Sequence, residues 1–314
     1  MNLRFPALVS VIALLALPVA AQTPAPRPAS LSDLQGNWTN ASLTPLERPE
    51  PLAGKTVLSA TEAAAWEKQR LENNNRDRRD GGAEADVARA YNELFYDQGS
   101  HLSRFDGSIR TSLVLDPPDG KIPSYTPQAA ARLAATRAEA RLHPADGPEN
   151  RSLAERCIFW ATAGPPLLPG PYNNNYQIVQ TPGYVMIMSE MIHEVRVIPL
   201  DGRKHLPSGV RLWTGDSTGH WEGDTLVVDT TNFTGKTRFR GSDENLHVVE
   251  RFRRADANTI LYRFTVDDPT TFSKPWTAEV AMTKAEGPIY EYACHEGNYA
   301  MADMLAGARA DEKK

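Results

Sequence analysis

The chain has 314 residues, of which 41% are hydrophobic and 23% charged, with 24 prolines and 2 cysteines. This composition excludes a collagen, a low-complexity polymer, a disulfide-dense toxin and a polytopic membrane protein. A formal net charge of -5, without any run rich in lysine and arginine, argues against nucleic acid as a partner.

The first residues predict export. A basic start, Met1 to Arg4, precedes an apolar run from Pro6 to Val19, and small side chains follow it up to Ala21. These three features define a secretory signal peptide, residues 1–21, cut after Ala21. A retained anchor is the alternative, but the apolar run is short for a bilayer span and no second one follows. We therefore expect a periplasmic or secreted protein with no membrane span after cleavage and a proline-rich tether at residues 22–30.

The segment at residues 31–150 is predicted to mix helices with a few strands. Gly36 and Trp38 form a Gly-x-Trp on an early strand, which resembles the opening of lipocalin-type barrels. Ser59 and Glu62 form a capping box at the start of a helix. The remaining predicted elements are that helix to about residue 73, a helix at 86–96, strand–turn–strand at 110–122, and a helix from Pro127 to about 142.

Residues 151–314 are β-rich. Short apolar stretches alternate with turn-like breaks such as Glu222-Gly223-Asp224, which predicts an antiparallel meander closed into a barrel or folded into a sandwich. The fold class is therefore mainly β (α+β overall): a lipocalin- or calycin-like meander barrel with a helical N-terminal extension or insertion and a short C-terminal helix, forming one unit with 31–150. The predicted strands are 176–180, 184–198, 210–214, 225–233, 246–254, 259–266, 276–283 and 289–294.

Four segments resemble those of a large, mostly uncharacterised family of exported bacterial proteins. They are RTSLVLDPPDG (110–120), YNNNYQIVQTPGY (172–184), GDSTGHWEGDTLVVDTTNF (215–233) and YEYACHEGNY (290–299). The resemblance implies a periplasmic or secreted protein, and it brings no activity and no assigned residues. The hairpin at residues 220–228 is also similar to hairpins of calycin barrels, a likeness of fold alone.

Cys157 and Cys294 are the two cysteines of the chain. In an oxidising compartment they are expected to form a disulfide, the alternative being two free buried thiols. Neither has the sequence context of a catalytic nucleophile.

The predicted strand at residues 184–198 carries candidate chemistry on both faces. Glu190 and Arg196 share one face with Met186 and are available to pair, whereas His193 lies on the apolar face. An imidazole turned into a barrel cavity would titrate near neutrality and act as acid or base. The alternative is a core histidine bonded to a backbone carbonyl.

The segment at residues 215–231 supplies the remaining catalytic candidates. His220 and Glu222 share a face, and Asp229 lies within an apolar strand, where a carboxylate needs a partner. Either it faces a ligand or it pairs with an arginine, the candidates being Arg211, Arg251 and Arg263. Ser217 has the letters of a nucleophile elbow but lacks the strand-to-helix context.

Aromatic and polar side chains near these groups are candidates for ligand binding, because tyrosine and tryptophan offer a flat face and a polar tip. His295 is included because a disulfide at the preceding residue would hold it rigidly. No H-x-H or H-x-x-x-H spacing occurs, so a zinc site would have to be assembled from distant strands. We predict no metal ligands and no cofactor. The candidate ligand-binding residues are Tyr184, Arg196, Trp213, Trp221, Tyr262 and His295.

Three functions follow from these patterns. The first is an exported barrel that binds a small apolar or aromatic molecule in its cavity. The second is an enzyme of the same shape, a lyase, isomerase or hydrolase, using His193 or His220 with Glu190, Glu222 or Asp229. The third is an envelope-assembly protein without a small ligand. The oligomeric state stays open.

Overall fold

The computed structural model describes residues 32–89, 93–237 and 239–313. The predicted signal peptide and tether lie outside these described residues. The strands are Gly36–Thr39 (β1), Val57–Leu58 (β2), Arg104–Phe105 (β3), Ser108–Arg110 (β4), Val114–Asp116 (β5), Asn175–Gln180 (β6), Tyr184–Ser189 (β7), Val195–Pro199 (β8), Asp216–Glu222 (β9), Thr225–Thr231 (β10), His247–Asp256 (β11), Thr259–Asp267 (β12) and Trp276–Lys284 (β13). The α-helices are Ala60–Asn74 (α1), Gly82–Ala88 (α2), Pro127–Leu142 (α3) and Tyr299–Asp311 (α4).

Nine strands form a nearly closed barrel in the order β8-β7-β6-β1-β13-β12-β11-β10-β9, and β5 pairs with part of β13. Every neighbouring pair along this path is antiparallel. The first strand, β1, thus lies between β6 and the last strand, β13. Apart from β2 to β5, the strands therefore succeed one another around the barrel in the order in which they occur in the chain. The predicted mainly-β, antiparallel meander barrel is confirmed.

The barrel has a seam between β8 and β9. An odd number of strands cannot alternate in direction all the way around, so these two strands run parallel and need the long connection at residues 200–215. They lie side by side: a Cβ added at Gly219 on β9 would stand 2.8 Å from Cγ2 of Ile198 on β8. Among the described residues, no ladder of backbone hydrogen bonds joins them.

The insertion between β1 and β6 adds a small second layer. Strands β2, β4 and β3 form their own sheet, and Leu58, Leu102 and Ile109 pack there with α1. The predicted capping box is present, with the Glu62 backbone N–H donating to Ser59 Oγ at 3.3 Å and the Ser59 N–H donating to Glu62 Oε2 at 2.9 Å.

Side chains fill the barrel interior. Large residues less than 2% exposed line it, including Trp38, Tyr176, Tyr262 and Trp276. A loop, residues 163–168, enters the same core and is buried throughout; we call it the plug. The Leu167 N–H donates to the Tyr262 hydroxyl at 2.9 Å. The plug thus occupies the space in which a lipocalin-like cup would hold its ligand.

One glycine shapes the plug. Gly164 has φ +85°, in the left-handed region, and a Cβ there would stand 2.3 Å from Cδ2 of Leu167. Both the backbone conformation and the close packing therefore require glycine.

A disulfide joins Cys157 to Cys294, 137 residues apart, as predicted. It fixes the C-terminal segment beside the loop that precedes the plug. Helix α4 is held there as well, since Arg309 donates to the carbonyls of Ala145 and Asp146 at 3.0 and 2.9 Å. No described helix is both long and apolar enough to cross a membrane.

Several predicted elements differ from the structure. In the described part of the chain, no strand follows the turn in the predicted strand–turn–strand at 110–122, and the predicted helix at 86–96 is replaced by the shorter α2. Three further predicted strands differ. The single strand at 184–198 is wrong: it is the hairpin β7–β8, broken by a turn at Met191–His193 in which Ile192 has φ 63° and His193 has φ 45°. The segments 210–214 and 289–294 form no strand beyond an isolated bridge at Leu212. Conversely, β9 forms at Asp216–Glu222, a range that is absent from the predicted strands.

Candidate functional site

A cleft of about 530 Å³ opens at the plugged end of the barrel; we call it the rim cleft. Its apolar floor includes Leu113, Leu168 and Phe239, which belong to the main hydrophobic core. Phe239 is held by stacking on Trp276, with ring centroids 6.4 Å apart. The volume falls in the range of small-molecule sites, and the floor is rigid because it is part of the core.

Polar groups line the walls of the rim cleft. Among the described lining residues they comprise hydroxyls, one amide and two guanidinium groups, with no Asp or Glu. Thr162, on the approach to the plug, connects the cleft to the barrel interior, because its carbonyl accepts a hydrogen bond from the Tyr176 hydroxyl at 3.1 Å. The polar lining consists of Ser42, Thr44, Thr162, Gln98, Arg76 and Arg240.

A second cleft, of about 710 Å³, lies beside the disulfide. Its lining includes Tyr96, Tyr172 and Tyr292 together with Glu155 and other carboxylates. One of its walls is the C-terminal segment, which lies outside the barrel sheet. The rim cleft is the better candidate for a small-molecule site because its floor is the barrel core itself.

A buried ion pair lies inside the barrel, close to the plug. Arg196 donates to both carboxylate oxygens of Glu250, at 2.7 and 2.9 Å, and their side chains are 4% and 0% exposed. The Tyr262 hydroxyl donates to Glu250 at 2.8 Å. Burial alone would lower the pKa of the Arg196 guanidinium, but Glu250 raises it. The bidentate contact links β8 to β11 on the opposite side of the barrel.

A chain of carboxylates and imidazoles lies on the outer wall of the barrel. Asp216 Oδ2 is 3.0 Å from His205 Nδ1, and His205 Nε2 is 2.9 Å from Asp229 Oδ1. The other oxygen of Asp229 is 2.8 Å from His247 Nε2. His205 thus has a carboxylate at each of its ring nitrogens. The chain fastens the long β8–β9 connection to the barrel.

The outer-wall chain shifts the pKa values of Asp229 and His247. Hydrogen bonding to His247, and then to His205, holds the pKa of Asp229 below its usual range despite partial burial. The hydrogen bond to Asp229, with a further contribution from Asp267 on β12, raises the pKa of His247. Asp229 and His247 are 40% and 37% exposed, so solvent screening keeps the coupling modest.

The His247 shift predicts a pH-dependent stability. Because its pKa is raised in the folded state, His247 stabilises the fold fully below its unfolded pKa of about 6.5. That contribution disappears as the pH rises through the folded pKa. On the acid side, the contribution of Asp229 is lost as the pH falls from its unfolded pKa of about 3.9 through its lowered folded pKa. We expect His247→Gln to cost about 1 kcal/mol or less at pH 5.5, and less still at pH 8.

Urea unfolding of the wild type and of this variant between pH 5 and 9 measures that difference. The matched control is His295→Gln, since His295 is exposed, and its difference from the wild type should not change with pH. A His247→Gln penalty that grows toward alkaline pH would contradict the assigned contact.

The structure separates most of the predicted catalytic residues. His193 is exposed in the β7–β8 turn, whereas Glu190 is buried and accepts from Asn175. His220 and Glu222 share the outer face, 3.2 Å apart. Arg251, which donates to Glu222, and then His220 lower the pKa of Glu222.

Asp229 contacts two histidines in place of the expected arginines. Neither His205 nor His247 was a predicted site residue. The pairing of β10 with β11 shows how His247 comes close to Asp229. Val249 lies opposite Asp229, and His247, two residues from Val249, is on the same face of the sheet. His205 lies in a connection where no pattern marks it.

The predicted ligand-binding residues also disperse. Arg196 and Tyr262 meet through Glu250, as described above. Tyr184 is on the outer wall, where its hydroxyl accepts from Arg203 at 3.2 Å. Three more lie elsewhere: Trp213 is exposed in the β8–β9 connection, Trp221 packs against the core and His295 is exposed beside the disulfide.

Within the described ranges, no group of three or more His, Cys, Asp or Glu side chains has an arrangement that could hold a metal ion. Together the fold and the cleft define a plugged, nearly closed meander barrel with a small-molecule-sized cleft at one end. Comparison of the chain with protein-family models, with curated proteins and with solved structures gives no match.

Proposed function

We propose that this protein binds a small apolar or aromatic molecule in the rim cleft. The observation that carries the proposal is a cleft of about 530 Å³ whose floor is built from barrel-core residues. Such a site, apolar at its base with a few polar groups around it, is the usual form of a small-molecule site.

The arrangement of the plug favours this cleft over the barrel interior. Buried side chains and the plug take up the interior, so a ligand there would have to displace Leu167 from its contact with Tyr262. A ligand in the rim cleft instead contacts Leu168 and Phe239, which are already ordered. Binding to ordered walls avoids the entropic cost of arranging them.

We further infer that the protein works outside the cytoplasm, in the periplasm or after secretion. The predicted signal peptide supports this, and the Cys157–Cys294 disulfide is compatible with an oxidising compartment. An enzyme of the same shape stays a prediction. Among the residues predicted for its catalytic site, Asp229 has described hydrogen bonds to two imidazoles: that of His247 on β11 and that of His205 in the β8–β9 connection.

Native mass spectrometry of the full chain, recovered from the periplasm of an expressing bacterium, tests the proposal. Extra mass that disappears on denaturation is expected for the wild type. Ala161→Trp, at an exposed residue that lines the cleft, should abolish the extra mass by filling the cleft. The control is Ala135→Trp on the exposed side of α3. Retention of the extra mass in Ala161→Trp would place the ligand elsewhere and contradict the proposal.

A further inference from the structure

Two guanidinium groups line the rim cleft without a carboxylate partner among the described residues. They belong to Arg76 and Arg240. Several arginines elsewhere on the barrel have a carboxylate partner: Arg253 pairs with Asp106, for example, at 3.0 Å. Because no Asp or Glu is among the described residues that line the rim cleft, its polar wall carries two positive charges that this lining does not compensate.

Arg76 is held at the cleft by its neighbours. Its guanidinium carbon is 4.9 Å from the ring centroid of Tyr96, and its backbone N–H donates to Glu93 Oε2 at 2.9 Å. Its Nε is buried and has no hydrogen-bond partner in the described structure. The protein therefore leaves this guanidinium incompletely satisfied, and an anion in the cleft would meet its uncompensated charge.

Arg240 reaches the cleft from an unusual backbone position. Its φ of 48° and ψ of 36° lie in the left-handed region, which non-glycine residues seldom adopt. Its neighbours fix that turn, because Phe239 is buried on Trp276 and Arg132 donates to the Gly241 carbonyl at 3.0 Å. Strain of this kind persists where the surroundings impose it, often at ligand sites.

We propose that the ligand of the rim cleft is an organic anion. It has an apolar or aromatic body that lies against Leu113, Leu168 and Phe239, and one carboxylate, sulfonate or phosphate group that Arg76 and Arg240 bind. Guanidinium groups suit this role because their fork of donors matches the oxygens of such anions. The inference rests on the proposed function and narrows its ligand to negatively charged molecules.

Two fluorescent probes with the same ring system test the inference on the full chain. 8-Anilinonaphthalene-1-sulfonate carries a negative charge, and N-phenyl-1-naphthylamine lacks it. We expect the wild type to bind the sulfonate about tenfold or more tightly than the neutral probe. Arg76→Gln and Arg240→Gln should each weaken sulfonate binding by about tenfold and leave the neutral probe unchanged. The exposed Arg137→Gln on α3 is the matched control and should change neither.

The outcomes separate the inference from the proposed function. Equal binding of both probes, insensitive to either arginine but lost in Ala161→Trp, would overturn the anion inference and leave small-molecule binding intact. Binding of neither probe, or binding that survives in Ala161→Trp, would count against both. Circular dichroism checks that each variant folds. If Arg76→Gln does not fold, Arg240→Gln still provides the test, because the Arg240 side chain is exposed.

Discussion

Replacement of Arg196 by Met is expected to lower the free energy of unfolding by about 3–5 kcal/mol. The change leaves the carboxylate of Glu250 buried, with its side chain 0% exposed, and removes both hydrogen bonds from the guanidinium. One bond, from the Tyr262 hydroxyl, stays. A charge without its counterion in the core costs far more than the same loss at the surface. Urea unfolding at neutral pH measures the effect.

Two further variants separate this explanation from a simple packing defect. The double variant Arg196→Met/Glu250→Gln should recover much of the loss, because the neutral amide oxygen still accepts from Tyr262. Arg203→Met breaks an exposed pair with Asp201 and should cost about 0.5 kcal/mol or less. If Arg196→Met lowers the free energy of unfolding no more than Arg203→Met does, the Arg196–Glu250 pair does not stabilise the fold in the way expected of a buried charge pair.

Loss of the disulfide has the second large expected effect. The bond closes a loop between residues 137 positions apart, for which the chain-entropy model gives about 5 kcal/mol. Measured losses in other proteins are typically about 2–5 kcal/mol, and we expect the variant Cys157→Ser/Cys294→Ser to fall in that range. Guanidinium unfolding of this variant, compared with the oxidised wild type, gives the value.

The reduced wild type is the control for this measurement. Its midpoint should coincide with that of the double serine variant, since both have lost the cross-link and little else. If oxidised and reduced wild type unfold together, the bond does not restrict the unfolded chain. Limited proteolysis of the segment near Asn298, whose side chain donates to the Glu155 carbonyl at 3.1 Å, then reports whether the C-terminus detaches locally.

Much of the barrel could be predicted from the sequence because its hairpins carry clear turn signals. Glu222-Gly223-Asp224 separates β9 from β10, and the predicted strands at 225–233, 246–254, 259–266 and 276–283 match β10 to β13 closely. The β7–β8 turn was missed for a physical reason. Its left-handed residues are Ile192 and His193, and an isoleucine there gives none of the usual turn signals.

The rim cleft could not be predicted in the same way. Its lining comes from the segment after β1, from the loop that follows α1, from the plug with its flanking residues and from the turn at Arg240. No periodicity connects segments so far apart in the chain, and each arginine alone is typical of a solvated surface. Asp229 was accessible to prediction as a carboxylate that needs a partner, yet its partners follow from tertiary packing.

The position of β1 has a consequence for how the chain reaches this fold. Its four residues separate two meanders, β6–β8 and β9–β13, and are the strand that hydrogen-bonds to both. Trp38 faces Tyr176 on one side and Lys284 on the other. β1, the first barrel strand to be synthesised, can therefore complete its pairing only after β13, the last one, has been synthesised. Pairing between strands so distant in the chain slows folding. Until β13 at Trp276–Lys284 is available, β6 is the only one of the two neighbours of β1 with which it can pair.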